Sequence, residues 1–322
     1  MIKRFASTLL ATAALALPAV AQEFPSKPVR VVIPYSAGSG PDTVMRLVGE
    51  KLTRAWGQQL IVENRPGGNG WIAIDAARKS PPDGYALLQL DDTHMALQPH
   101  IYKKLPHDLA KDFDPVAPLY RTYFFVVVPA NSEWKNVADL VAVAKAKGGG
   151  LTYGTWGIGS VGHLGTSMLE AATGTQMTHV PFKELPQLYG AVANGEVGWA
   201  YGTAATAGPL QRANKVKFLA LAAPKRLAAL PDIPTMGEAG GPVNFEVKTW
   251  VGLLAPRGTP NRIIDRINAD VAKALAEPDV RERLAGVGFE PFSSTPATMA
   301  NAIAADSRKF AEIVKRAQIA LD

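Results

Sequence analysis

Two segments rich in glycine and serine, Ser36-Ala37-Gly38-Ser39-Gly40 and Gly157-Ile158-Gly159-Ser160, carry the residue types from which an anion site is built without charged side chains. Each follows a strand-like apolar run (29–34 and 151–155) and precedes residues with helical apolar spacing. Glycine lets the backbone turn so that several N–H groups point the same way, and the helix start behind them offers free donors and a partial positive charge. One such loop in each half of the chain suggests a cleft that grips a carboxylate.

Other chemistry has less support. Gly157-Ile158-Gly159-Ser160-Val161-Gly162 has the glycine spacing of a dinucleotide-binding turn, with Glu184 in the acidic position after the next strand. An anion loop is preferred because nicotinamide and flavin cofactors are uncommon outside the cytoplasm and the leader described below has no twin-arginine pair. The competing bland reading is a tight turn that needs glycine. No G-x-S-x-G nucleophile motif occurs: Ile158 stands two residues before Ser160, and Pro41 two residues after Ser39. The five histidines (His94, His100, His107, His163 and His179) form no H-x-x-x-H pair. Asp91-Asp92-Thr93-His94 reads as a polar loop capping a helix rather than a cation site. The expectation is a binding protein without catalytic residues, metal or cofactor.

Tyr35, Trp71, Trp156 and Tyr201 fall at or just beyond the ends of predicted strands, where open α/β sheets bind ligands. Singly each is a core residue by default. Together they suggest a wall of the cleft, with Trp71 and Tyr201 facing each other across it and favouring a flat, aromatic acid.

The elements that must position these residues alternate. Strands are expected at 29–33, 60–63 and 85–90 with helices at 43–56 and 72–79, then strands at 151–155, 177–180, 197–201 and 217–221 with helices at 136–147, 161–172 and 185–193. This order predicts an α/β fold of parallel sheets with helices on both faces. Extended runs at 123–128 and 245–254 link the halves as a two-crossing hinge, and a helical tail covers 261–276, 280–287 and 298–319. The expected division is a first domain of residues 22–124 with 250–322 and a second of residues 125–249.

Residues 1–21 have the form of a secretory signal: Lys3 and Arg4, an apolar stretch at 5–17, and Ala19-Val20-Ala21, with cleavage expected after Ala21. The apolar stretch falls short of the roughly 18–20 residues of a membrane-spanning helix. Without cysteine the chain has no lipid anchor on Cys, no disulfide and no thiolate site. The net charge of +6, or +4 once Lys3 and Arg4 are removed, is spread along the chain, which gives nucleic-acid binding little support. Roughly 300 mature residues more readily make two domains than one.

The motifs, taken in order, resemble those of the tripartite tricarboxylate transporter substrate-binding proteins, also called Bug receptors. Residues 34–42 resemble the family loop P-[FY]-x-x-G-G-x-x-D, and Val62-Glu63-Asn64-Arg65-Pro66-Gly67 with Pro82-Asp83-Gly84-Tyr85 resembles its V-E-N-R-P-G and P-D-G-Y pair. Gly157-x-Gly159-Ser160-x-x-His163-Leu164, Thr178-His179-Val180-Pro181-Phe182-Lys183, Ala229-Leu230-Pro231-Asp232-Ile233-Pro234-Thr235 and Gly252-Leu253-Leu254-Ala255-Pro256 continue in family order.

The resemblance implies a type II periplasmic binding-protein fold whose two α/β domains close on a small carboxylate. It also implies a periplasmic monomer that hands its ligand to the permease subunits of a tripartite tricarboxylate transporter. The ligand-binding candidates are Tyr35, Ser36, Ser39, Gly40, Asp42, Trp71 and Thr93 from the first domain, and Gly157, Gly159, Ser160, Tyr201 and Thr203 from the second. Ser39 replaces a family glycine, Trp71 a small polar residue, Ile158 an asparagine and Glu184 a glycine, while Gly198 and Gly202 stand where the family often has Asp. Gly202 cannot pair with an ammonium group, which argues against an amino-acid ligand. The alternatives are an exported cofactor-dependent enzyme using the same cleft and a ligand sensor for a membrane kinase.

Overall fold

The computed structural model describes residues 24–317, so the expected leader and its cleavage after Ala21 lie outside the described residues. The chain begins with β1 (Val29–Ile33), α1 (Gly40–Trp56), β2 (Leu60–Asn64), α2 (Trp71–Arg78) and β3 (Ala86–Asp91). A turn of π-helix over Thr93–Leu97 runs into α3 (Gln98–Ile101), and α4 (Leu109–Asp112) leads into the long β4 (Phe113–Tyr123). A second lobe follows: β5 (Phe125–Pro129), α5 (Val137–Lys147), β6 (Thr152–Thr155), α6 (Val161–Thr173), β7 (Thr178–Pro181), α7 (Leu185–Ala193), β8 (Trp199–Gly202), α8 (Ala204–Arg212) and β9 (Val216–Leu221). The chain then returns with β10 (Lys248–Pro256), α9 (Asn261–Ala276), α10 (Pro278–Gly286), β11 (Phe289–Pro291) and α11 (Pro296–Ala317).

Each lobe holds one sheet, in the orders β11-β4-β10-β3-β1-β2 and β7-β6-β8-β5-β9. The expectation of parallel sheets needs correcting. β1 is parallel to β2 and β3, and β6 to β7 and β8, but β10 runs antiparallel between β3 and β4, and β5 antiparallel between β8 and β9. The cause is the connectivity. β5 and β10 are the strands that enter a lobe from the other one, so they arrive from the opposite end of the sheet.

Both faces of each sheet are covered, which is why the strands read as continuous apolar runs. In the first lobe Val31, Ile33, Leu87 and Leu253 pack with Val48, Ile264 and Ile267 on one face. Val32, Leu88, Leu254 and Trp250 pack with Ile74 and Met299 on the other. Alternate residues face opposite ways, the two-residue period of a strand.

At the crossing the two connections lie side by side. Tyr123 pairs with Lys248, the Phe124 amide donates to the Val247 carbonyl (3.0 Å), and the Ala222 amide donates to the Phe124 carbonyl (2.8 Å). A second contact between lobes is apolar: Leu97, Ile101, Ile313 and Val314 of the first lobe bury Leu164 of α6.

Candidate ligand-binding site

The loop between β1 and α1 is shaped from within. The buried Asp42 carboxylate accepts hydrogen bonds from the Gly38 amide (2.9 Å), Arg46 Nε (3.0 Å) and Asn64 Nδ2 (2.9 Å), and Asn64 also donates to the Tyr35 carbonyl (2.9 Å). Burial alone would raise the Asp42 pKa, but these bonds outweigh it and hold the carboxyl below its ordinary range. Asp42 thus braces the loop with its acceptors already engaged. Ser39 caps α1, its Oγ accepting the Asp42 amide at 3.5 Å, while Ser36 is exposed at the loop. Gly40 is required by packing, since a Cβ there would lie 2.8 Å from the ring of Phe289.

Beside it, Asp91 Oδ1 accepts from Thr93 Oγ1 (2.6 Å) and the His94 amide (3.0 Å) and meets His94 Nδ1 at 2.7 Å. Burial opposes ionisation, yet the His94 ring and the Thr93 hydroxyl hold this carboxyl well below its ordinary range. Tyr35 lies edge-on to His94 at 5.9 Å, and its buried hydroxyl has no hydrogen-bond partner among the described residues. Its pKa is pushed up by burial and then by the charge of Asp91.

In the second lobe Gly157 (φ 126°) and Gly159 (φ 76°) adopt the backbone that favours glycine. Thr155 Oγ1 accepts the Gly157 amide and donates to the Gly157 carbonyl, both at 3.1 Å, while the Gly159 amide donates to His163 Nδ1 at 3.2 Å. Ser160 caps α6, accepting the His163 amide at 3.4 Å, and its own amide donates to the Gly157 carbonyl. Among the described residues, the Val161 and Gly162 amides at the first turn of α6 have no acceptor in the chain. Thr203 caps α8 in a reciprocal capping box with Thr206.

The starts of α6 and α8 each lie at a contact with the first lobe. A Cβ on Gly159 would meet Ile101 of the first lobe at 2.5 Å, and one on Gly288 would meet Ala204 of α8 at 3.1 Å. Gly288 adjoins Phe289, the residue that Gly40 touches, so the start of α1 lies next to the contact made by α8, while the start of α6 meets the first lobe at Ile101.

The aromatic candidates do not form one wall. Trp71 is half-buried in the first lobe, packed edge-on to Tyr102 at 5.1 Å, with Nε1 donating to Gln98 Oε1 at 3.3 Å. Tyr201 is 1 % exposed inside the second lobe, edge-on to Trp199, and its hydroxyl has no partner among the described residues. The two rings belong to separate clusters, contrary to the expected facing pair. The cause is pleat parity: Tyr201 and Trp199 share the inner face of β8. Trp156 stacks on Phe124 at the crossing, ring centroids 5.7 Å apart. Gly202 likewise answers to packing, because a Cβ there would be 3.0 Å from Ala207, Tyr189 and Val127.

Four residues that shape the site escape the candidate set: Asn64, Thr155, His163 and His179. Asn64, His163 and His179 do lie inside motifs that carried the family resemblance. Among the described residues there is no cluster of three or more His, Cys, Asp or Glu able to hold a metal ion, and no helix long and apolar enough to cross a membrane.

Residues 44–319 match the family model described as tripartite tricarboxylate transporter family receptor. The chain belongs to that family. Receptors of this family, the Bug proteins among them, are periplasmic binding proteins. A solved relative described as "R. palustris Rpa4515 with adipate" is 31 % identical with a TM-score of 0.87, the match covering 92 % of this chain and 99 % of that one. "MatC (Rpa3494) from Rhodopseudomonas palustris with bound malate" is 30 % identical with a TM-score of 0.81, covering 90 % of this chain and 100 % of that one. A relative from Agrobacterium vitis, the "UPF0065 protein in the TAR-I ttuE-ttuC' intergenic region", is 33 % identical over 321 residues, 98 % of this chain and 92 % of the relative. The type II periplasmic binding-protein fold expected of a tripartite tricarboxylate receptor is the fold of this chain.

Proposed function

We propose that this receptor captures a small organic carboxylate in the seam between its lobes and delivers it to the permease subunits of a tripartite tricarboxylate transporter. It acts in the periplasm, after cleavage behind Ala21, as a monomer with no cofactor and no catalytic step. The bodies that close on the ligand are residues 22–124 with 250–322 and residues 125–249. Tyr35, Ser36, Ser39 and Gly40 contribute from one side, and the Gly157 to Ser160 loop with Thr203 from the other.

The observation that carries the reading is that the starts of α6 and α8 meet the first lobe, with the start of α1 beside the α8 contact, and that each start is capped by a hydroxyl: Ser160, Thr203 and Ser39. Helix starts favour negative charge, and a capping hydroxyl that accepts an amide still has its proton to give to an anion. The relatives with bound adipate and malate make straight-chain acids the first probes. A flat acid draws support from Trp71 and Tyr102, because Tyr102 follows Ile101 at the seam.

A thermal-shift screen with adipate, malate, benzoate, glucose and an alkylamine tests this. A carboxylate at a hundred times its dissociation constant stabilises the fold by about 2.7 kcal/mol. A screen in which only the sugar or the amine raises the melting temperature overturns the reading.

A further inference from the structure

The N–H groups that the glycine loop of the second lobe was expected to offer a ligand are largely engaged within the chain. The Gly157 amide is bonded to Thr155, the Gly159 amide to His163 and the Ser160 amide to the Gly157 carbonyl. The open donors are the Ile158, Val161 and Gly162 amides and the Ser160 hydroxyl. The shape of the loop, and so the direction of those donors, depends on what holds Gly159. That partner is a ring nitrogen three residues into α6, reached because helical side chains lean back toward the helix start.

We propose that His163, braced by His179, is the positioning residue of the second anion loop: its unprotonated Nδ1 takes the Gly159 amide proton and thereby aims the Ser160 hydroxyl and the Val161 and Gly162 amides at the ligand carboxylate. This rests on the carboxylate-receptor reading above.

The hydrogen bond from the Gly159 amide assigns the His163 ring. His163 Nδ1 accepts from an amide, so it carries no proton, and a neutral ring must carry its proton on Nε2. His179 reaches the same loop from β7, its Nε2 lying 2.6 Å from Thr155 Oγ1. The two atoms share a hydrogen bond whose direction follows the His179 tautomer, and in either direction it ties the ring to the loop. The rings stack with centroids 4.6 Å apart, and Tyr153 covers the outer face of His179 at 5.1 Å. Burial first, and then the proximity of His179, hold His163 neutral down to about 4. His179 is the titratable group that acts on it from a neighbouring element, and no carboxylate does. The elements on the opposite side contribute Leu97 and Ile101, which are apolar. Protonating His163 would replace an acceptor by a donor facing the Gly159 N–H, and the bond would be lost.

The test uses the full chain and two substitutions. His163→Asn keeps an acceptor near the Nδ1 position without the ring, whereas His163→Phe keeps the stack without the acceptor. With adipate and benzoate as probes at pH 7, calorimetry is expected to show the Asn variant within about three-fold of wild type and the Phe variant about ten-fold weaker or worse. As the pH drops from about 5 through 4, wild-type affinity should fall more steeply than that of the Asn variant, because protonation of the probe acid is common to both and only wild type also loses the His163 acceptor. That profile needs no comparison with a variant whose folding is impaired. Without ligand, the Gly159 amide should be protected from hydrogen exchange in wild type and in the Asn variant but not in the Phe variant. Unchanged affinity in the Phe variant, or a wild-type His163 bearing its proton on Nδ1 in nitrogen NMR, overturns the proposal. If neither acid binds wild type, the receptor reading fails and takes the ligand-aiming role with it, while the amide readout still reports whether the bond exists.

Discussion

Gly159 of the second lobe and Ile101 of the first are in such close contact that a single added carbon on the glycine would lie 2.5 Å from the isoleucine Cδ1. The anion loop is therefore seated against the opposite lobe at a point remote in sequence from the hinge. Gly159 also has φ 76°, which side chains disfavour.

Gly159→Ala should accordingly destabilise the chain by about 1–3 kcal/mol through overpacking and backbone strain. Adding Ile101→Ala relieves only the steric part, so the double variant should be less destabilised than the two single losses added together. Urea titrations of all four chains check this. Strict additivity would mean that the contact does not bear on stability.

Ser160→Ala is expected to cost twice over. Losing a donor to a charged acceptor weakens carboxylate binding by about 1.5–3 kcal/mol, and losing a helix cap removes about 0.5–2 kcal/mol of stability. Ser39→Ala should do the same for α1 with a smaller loss of affinity, since Pro41 removes one amide from the first turn there. Calorimetry with adipate and thermal melts separate the two effects. Undiminished affinity in the Ser160 variant would remove its hydroxyl from the site.

Besides the paired carboxylates Asp42 and Asp91, acid should act on stability through two groups of opposite sign. His163 is neutral in the folded chain down to about 4, whereas a free imidazole takes up its proton near pH ~6.5. Between those values the unfolded chain holds more protons, so this contribution to stability falls as the pH drops through that window. Asp92 behaves the other way. It is 3 % exposed and accepts from Thr249 Oγ1 at 2.6 Å, and burial followed by the charge of Asp91 pushes its carboxyl well above the ordinary value. Its folded form keeps a proton that the unfolded form releases, so its stabilising effect is complete below pH ~3.9 and is lost as the pH rises. Asp92→Asn should therefore raise stability at pH 7, by about 1.4 kcal/mol for each unit of raised pKa, and change little at pH 4. Denaturation at the two pH values decides, and an equal loss at both would show that the carboxyl is needed for its shape alone.

The preference for a flat acid can be measured directly. If Trp71 and Tyr102 reach the ligand, benzoate should bind several-fold better than succinate, the roughly 0.5–1.5 kcal/mol of a ring pair, and Trp71→Ala should erase the difference. Tighter succinate binding with unchanged tryptophan emission would leave both rings as scaffold.

The alternation of strands and helices is legible in the sequence because both faces of each sheet are buried and the loops are punctuated by glycines that need positive φ. β4 is not, since Pro115 and Pro118 argue against a strand. The structure accommodates them with register shifts that leave Leu119 and Val116 of β4 without a partner in β10, between Val251 and Gly252 and between Leu253 and Leu254. α8 is hidden by Gly208 and Pro209. In the site, the loop positions can be read, but the partners that fill them cannot. His163 and His179 meet only because β6 and β7 pair in the register that sets Tyr153 beside His179. Nor does the sequence say which way the last pleat of a strand points, and that decides whether Tyr201 lines a cleft or a core.

The insertion of β10 between β3 and β4 also fixes an order of assembly. Among the described strands, β3 and β4 are neighbours only through β10, so the sheet of the first lobe stays in separate pieces until residues 248–256 have been made. The sheet of the second lobe has all its strands by Leu221. As the chain emerges from its N-terminus, the lobe that begins first is the one that must be finished last.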